Sequence, residues 1–357
     1  MDVDLEKIIR EIGMLDENAM AEARARQDKL IKPIGSLGRI EELAIQLAGI
    51  TGNVYRSYAK KAIIVMCADN GVYAESVSLA PKETTLMMSM NFMKFITGVG
   101  VLSKLSGSNL RVVDIGIDSD VESPNMLNRK IRKGTGNLAR EIAMTREEAI
   151  KAIEVGFEQA TELANAGYDV IGTGEMGLAN TTSSALVIMS LTGCSVDSAT
   201  GKGSGLTDEL YIHKKKLIEA AYQMHKPDKD DPIDILSKVG GLDIAGLAGV
   251  YLGAAYHRKP VVIDGVISAA AAIVATRLCP NAKNFMVPSH ISEEPGYSVT
   301  LRELDIRPYF DLGMRLGEGT GCPFTFLLID AAEKIVKEIA TFEEASIDDS
   351  TLVDIRK

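Results

Sequence analysis

The chain has little that would suit it to nucleic acid or to a membrane. Its 357 residues carry 39 Lys and Arg against 49 Asp and Glu, a formal charge of −10. No basic stripe with interleaved aromatics interrupts that balance, which argues against a nucleic-acid partner. An anionic ligand stays open, because a few backbone N–H groups and one lysine suffice to hold a phosphate. The longest apolar runs, such as 266–274, are too short to span a bilayer. The first residues are acidic and lack an apolar core, so no secretory leader is expected. Cysteine is scarce: Cys67, Cys194, Cys279 and Cys322 lie far apart without a CxxC pair, and the four histidines are as dispersed. Zinc-type spacing is missing, no metal is expected, and the thiols are expected to stay free in a reducing cytosol. Internal repeats and low-complexity segments are missing too. These absences leave a cytoplasmic enzyme as the expectation.

What is present is an ordinary globular composition, 46% hydrophobic and 25% charged. The length calls for one large domain with an appendage, or for two domains. Residues 1 to about 52 read as helices. Asp16 stands where it caps a helix running to Leu30, the segment 32–39 breaks it, and Ile40, Leu43, Ala44, Leu47 and Ala48 repeat at helical spacing. The texture then changes. The run 62–67 is short and wholly apolar and ends in Ala68-Asp69-Asn70-Gly71, as a buried parallel strand with a polar loop at its carboxyl end should. Further strands are predicted at 110–115, 168–171, 260–263 and 284–287. Helices are predicted at 83–96, 146–166, 181–191, 207–224, 243–257, 266–277 and 324–339, with a loop-rich excursion at 117–140. Alternating strands and helices predict an α/β fold with a mostly parallel sheet covered on both faces.

In such sheets ligands bind beyond the carboxyl ends of the strands. The polar and glycine-rich segments fall there: Asp69-Asn70-Gly71, 172–177, Asp264-Gly265, Pro288-Ser289-His290 and Arg315-Leu316-Gly317-Glu318-Gly319-Thr320-Gly321. In the last of these one carboxylate sits among three glycines. Read alone, it is a general base against a ligand on bare backbone or a solvated turn, with nothing to separate the two. Convergence with the other segments favours one active-site rim. Gly172-x-Gly174-x-x-Gly177 formally matches the dinucleotide fingerprint, yet Asp197 follows a helix rather than a second strand. A phosphate-binding turn and a plain strand-to-helix turn both remain open there. Glu175 lies inside that segment, placed for a sugar or a developing positive charge, or simply before a well-capped helix at Asn180 to Ser184. Gly201-Lys202-Gly203-Ser204-Gly205 lacks the spacing of a phosphate loop. Lys214, Lys215 and Lys216 form a solvated helix face or include one lysine that reaches an anion. His290 is expected to be structural, since no Ser or Cys nucleophile accompanies it.

Taken together, these segments resemble the nicotinate-nucleotide–dimethylbenzimidazole phosphoribosyltransferases of cobamide lower-ligand assembly. The resemblance runs in order from about residue 31 to about residue 335. It includes Lys32-Pro33-x-Gly35-Ser36-Leu37-Gly38-Arg39, Cys67-Ala68-Asp69-x-Gly71-Val72, and Gly174-Glu175-Met176-Gly177-Leu178-Ala179-Asn180-Thr181-Thr182. It continues through Leu236-Ser237-Lys238-Val239-Gly240-Gly241-x-Asp243, Asp264-Gly265, Pro288-Ser289-His290-x-Ser292 and Met314-Arg315-Leu316-Gly317-Glu318-Gly319.

The resemblance implies a Rossmann-like large domain, 58–299, and a smaller, mainly helical domain built from 1–57 and about 300–357. It implies a homodimer without metal or organic cofactor. The reaction would transfer the 5-phosphoribosyl group of nicotinate mononucleotide to an aromatic base. Glu318 falls on the catalytic base; Glu175, Gly177, Gly203, Lys214 and Ser292 fall on the ribose and phosphate contacts; Ala80, Met88 and Leu316 fall on the base pocket.

Two departures stand out. The family's Ala-Asp-His-Gly reads Ala68-Asp69-Asn70-Gly71, and a Ser and a Gln that flank the base read Ala80 and Met88. Phosphoribosyl transfer is therefore expected with the acceptor open among benzimidazoles, purines and phenols. The phenolic enzymes resemble two-subunit relatives, so a paralogous partner chain stays open as well. The competing readings are an NAD-binding dehydrogenase and a non-catalytic nucleotide-binding subunit.

Overall fold

The computed structural model describes residues 4–120, 123–203, 205–350 and 352–356. Residues 1–3, which open the acidic N-terminal stretch, and Ser204 of the glycine-rich run at 201–205 lie outside them. Six strands form the sheet among the described residues: β1 (Lys61–Ala68), β2 (Asn109–Gly116), β3 (Leu127–Asn128), β4 (Val170–Met176), β5 (Val261–Ile263) and β6 (Met286–Pro288). Their spatial order is β3-β2-β1-β4-β5-β6, and every pairing is parallel. This is the Rossmann order, which reverses direction between β1 and β4 and opens a crevice there.

β1 is buried along its whole length. Ile64, Met66 and Ala68 enter one apolar core, with helices Arg146–Asn165, Leu242–Tyr256 and Val266–Leu278. Ile63, Val65 and Cys67 enter a second core on the other face, with helices Arg39–Thr51 and Gly321–Glu338. The period of two in the side chains thus feeds two layers, which is why the strand reads as a continuous apolar run.

Elements from both termini build the second layer. Arg26 donates to the carbonyls of Val336 at 3.1 Å and Ile339 at 2.9 Å, and Leu30 bridges to Thr341. The Lys32–Arg39 segment ties this layer to the chain leading into the Glu318 loop. Lys32 Nζ donates to the buried Glu41 carboxylate at 2.8 Å. Arg39 donates to the carbonyls of Arg307 and Pro308 and lies 4.1 Å from the Tyr309 ring centroid.

Two expectations need correction. The segment 172–177 is not a turn: Gly172 and Gly174 lie inside β4, and the turn begins at Gly177. Their missing side chains serve close approach. A Cβ at Gly172 would lie 2.9 Å from Cys322 Sγ, and one at Gly174 would lie 2.3 Å from the Glu318 carbonyl oxygen. The expected helix at 83–96 ends at Phe92, and a separate helix, Gly98–Ser106, follows. Thr97 starts it by accepting the Gly100 N–H at 3.2 Å. Helices Pro232–Val239 and Pro295–Leu304 also lie where none was predicted, each with proline in its first turn.

Candidate active site

The carboxyl ends of β1, β4, β5 and β6 deliver Asp69, Glu175, Asp264 and the 289–292 segment to one side of the sheet. A cavity of about 340 Å³ opens at the β1–β4 crevice. Its lining includes Glu175, Gly177, Gly203, Ser292, Ala80, Met88, Leu316 and Glu318. Lys214 alone among the expected residues stands behind the wall. It is fully buried, and its Nζ donates to Thr181 Oγ1 at 2.8 Å and to the Gly201 carbonyl at 3.2 Å. Of its neighbours, Lys215 pairs with Asp197 at 2.8 Å and Lys216 is exposed, so only Lys214 can act from within the fold. Burial pushes its ammonium down to about 8, against the pull of the Glu294 charge.

Glu318 sits in a left-handed backbone conformation, φ +63°, between Gly317 at +80° and Gly319 at +99°. A non-glycine residue there stores roughly 1–3 kcal/mol of strain, which surrounding contacts must hold. Asp264 supplies them. Its two carboxylate oxygens accept the Gly319 N–H at 2.9 Å and the Gly321 N–H at 2.6 Å. Glu175 accepts the Glu318 N–H at 3.3 Å, and Glu318 Oε2 accepts the Val99 N–H at 3.4 Å. The Glu318 side chain is thereby fixed at the junction of the acidic and apolar parts of the cavity. Burial raises its pKa above the ordinary carboxylate value, with the Val99 N–H pulling the other way. A carboxylate so tuned is a better proton acceptor than a solvated one.

Three further carboxylates are buried nearby, Glu175 and Asp264 bonded to the Glu318 loop and Asp243 linked to Glu175 through Asn180. Glu175 is pushed up to about 8, first by burial and then by the charge of Asp243. Burial lifts Asp264 to about 7 and Asp243 to about 6. Asn180 bridges the pair, donating its Nδ2 to Glu175 Oε2 and to Asp243 Oδ2. Of the three only Glu175 lines the cavity, and desolvation together with the Asp243 charge leaves it ready to gain from a cation placed beside it. Opposite lies an apolar wall of Val77, Ala80, Met88 and Leu316.

His290 plays the structural part expected of it. It is buried, hydrogen-bonded through Nδ1 to Ser289 Oγ at 3.0 Å and stacked on Tyr297 and Phe310, and burial pushes it down to about 4. Asn70 also has a scaffold role: its Oδ1 accepts from Ser183 Oγ at 2.9 Å and its Nδ2 donates to the Leu178 carbonyl at 3.3 Å. Sequence reasoning left Asp243 and Glu294 without roles, placed Asp264 on the rim without a function, and read Asn180 as part of a well-capped helix start, whereas the helix has no side-chain cap and Asn180 serves the carboxylates. Asp243 did carry a signal, a carboxylate opening a helix that is otherwise apolar.

Fold and cavity together define a Rossmann-type α/β protein with a nucleotide-sized, acid-rich site at the switch point of its sheet. Residues 12–347 match the model of the DBI_PRT family, described as Phosphoribosyltransferase. The chain belongs to that family. It is 49% identical to the nicotinate-nucleotide–dimethylbenzimidazole phosphoribosyltransferase of Clostridium acetobutylicum, over 97% of this chain and 98% of the relative. It is also 49% identical to the Clostridium tetani protein of the same name, over 99% and 98%. Among solved structures it superposes on CobT from Thermus thermophilus with a TM-score of 0.89 at 34% identity, covering 93% of this chain and 99% of that one. The dehydrogenase reading has no support: two of the three fingerprint glycines lie within a strand.

Proposed function

We propose that this chain transfers the 5-phosphoribosyl group of nicotinate mononucleotide to an aromatic lower-ligand base, releasing nicotinate and an α-linked ribotide. The observation that carries the proposal is the position of Glu318, on a strained and fully braced loop between the acidic cluster and the apolar wall of one cavity. The acceptor lies against Ala80, Met88 and Leu316. Its ring N–H gives its proton to Glu318 as the nitrogen attacks C1′ of the ribose. The bond from C1′ to the pyridine nitrogen breaks on the opposite face, so β becomes α. Positive charge spreads over the ribosyl ring in the transition state, as in glycosyl transfer generally. Glu175 stands where it stabilises that charge. Gly177, Gly203 and Ser292 offer backbone N–H groups to the phosphate, and Lys214 supports them from behind. Incubation with nicotinate mononucleotide and a panel of bases, followed by mass analysis, tests the reaction; no ribotide with any base would refute it.

The same reading includes a cytoplasmic place of work, supported by four free cysteines. Among the described residues no helix is long and apolar enough to cross a membrane. It also includes a homodimer. Ile96, Val101 and Leu105 expose apolar side chains on and just before the helix that carries Val99 to Glu318, which supports a second copy of this chain there. Sedimentation separates that assembly from one with a paralogous chain.

Ala80 and Met88 offer the acceptor no polar side-chain group, and Met can re-pack around unequal shapes. Weak discrimination among benzimidazoles with different substituents is therefore expected. A preference for dimethylbenzimidazole over unsubstituted benzimidazole above about 10³-fold in kcat/KM would exceed what methyl-sized differences in an apolar pocket supply. That result would place specificity in other residues.

Gly174→Ala is expected to destabilise the protein by about 1–3 kcal/mol, as overpacking does. It should also lower turnover, because the new methyl would displace the Glu318 carbonyl. Thermal midpoint and kcat measure the two effects; a wild-type kcat would show that the loop does not depend on β4.

A further inference from the structure

The corner of the cavity assigned to phosphate already holds an anion. Glu294 lines the same cavity as Gly203 and Ser292. Its Oε1 accepts the Gly203 N–H at 3.0 Å. Its Oε2 fills the place of a side chain at Gly201, 2.0 Å from a Cβ built there. Lys214 Nζ lies 3.9 Å from the Cβ position of Gly203, and the Glu294 charge is the one that raises its proton affinity.

Nothing in its own helix demands this placement. Glu294 is the N-cap residue of Pro295–Leu304, yet its side chain makes no capping hydrogen bond. It turns instead to Gly201 and Gly203, which a helix-capping or solvated glutamate would not do. The carboxylate therefore makes the contacts a phosphate would make: a glycine N–H in a left-handed turn, φ +55° at Gly203, backed by a buried ammonium. Two anions cannot share that N–H, because like charges at contact repel.

We infer that Glu294 is a built-in competitor for the substrate's phosphate, a carboxylate that occupies the phosphate corner and must leave it before a phosphorylated ligand seats. This rests on the reading of the site given under Proposed function. It makes Glu294 a brake on affinity: every phosphate that seats there bears the same cost of displacing the carboxylate. Inorganic phosphate and the nucleotide meet the same competitor, so neutralising the carboxylate should strengthen both by a similar factor.

The test uses the full-length protein. Binding of inorganic phosphate and of nicotinate mononucleotide is measured by titration calorimetry in wild type, Glu294→Gln and Glu294→Asp, alongside steady-state KM. Loss of one charge-assisted competing contact should tighten both ligands by roughly 10–100-fold in Glu294→Gln. The gain should also appear as a lower KM for the nucleotide. Glu294→Asp, which withdraws the charge by one methylene, should fall between.

Weaker or unchanged binding in Glu294→Gln would overturn the inference, and weaker binding together with a lower thermal midpoint would make Glu294 a brace for the loop. Should Glu294→Gln fail to fold, Glu294→Asp decides by the same criterion. Lys214→Ala separates the two levels. If it weakens the nucleotide while the Glu294 variants bring no gain, only this inference fails. If folded wild type binds neither ligand, the site reading fails and the inference with it.

Discussion

Glu318→Gln is expected to fold as the wild type does and to lose turnover by about 10²–10⁴-fold, the usual cost of removing a general base. The carboxamide keeps the volume and can still accept the Val99 N–H, but it cannot take a proton. The strained loop should also survive, because its braces come from elsewhere: Asp264 accepts the Gly319 and Gly321 N–H groups and Glu175 accepts the Glu318 N–H. The loss should therefore fall on kcat at saturating base, with the thermal midpoint little changed. Proton removal matters most for the least acidic acceptor, so the loss should shrink as the acceptor N–H becomes more acidic. A pH profile gives a second readout. Burial raises the Glu318 pKa, and the base works only when ionised, so wild-type kcat/KM should climb as pH rises through that raised value. The Gln variant should lack this limb. Glu175, lifted to about 8, is the nearest group that can replace it, and a residual limb near pH 8 in the variant would report that substitution. Wild-type turnover by Glu318→Gln at saturating base would sink the assignment.

Much of the fold was legible because burial on both faces writes itself as short apolar runs. β1 and β5 are examples, and the helices between strands keep their 3.6 spacing. Glycine was the main source of error. Gly172 and Gly174 read as a turn, but they mark where one strand must let another backbone approach, and that requirement is invisible without its partner at Glu318. Gly98 and Gly100 concealed a helix whose start signal, Thr97, stood in plain view. Asp231-Pro232 was likewise readable as a capping residue followed by proline at the first helical position, whereas Pro295 follows Glu294, whose side chain does not cap. At the site, Glu318 and Glu175 were visible as carboxylates among glycines, although those residues alone left a structural reading of each equally open. Asp264 and Glu294 did not, because their roles consist of contacts 55 and 91 residues away along the chain. Which of three consecutive lysines faces inward also depends on helix rotation against the loop, and only the packed structure decides it.

That lysine carries the other large effect. Lys214→Ala is expected to raise the Kd for nicotinate mononucleotide by roughly 10–100-fold, the equivalent of a charge-assisted contact of about 1.5–3 kcal/mol. Binding of the free base should be untouched, since only the nucleotide carries the anion. Burying the ammonium carries a folding cost that the fold tolerates for this purpose. In the folded chain its pKa falls from the ordinary 10.5 to about 8. A lysine depressed in this way weakens the fold below the lower value, and the cost fades as pH rises from 8 towards 10.5. Lys214→Met, which keeps most of the volume without the charge, should therefore be as stable as wild type or more so at neutral pH while binding the nucleotide poorly. Phosphate bound beside the ammonium favours its charged form, so wild-type affinity should decline as pH rises above about 8, and that decline should vanish in both variants. Calorimetry with the nucleotide and with the free base, at pH values on both sides of 8, measures all of this. Equal weakening of the two ligands by Lys214→Ala, or of neither, would remove Lys214 from the phosphate site.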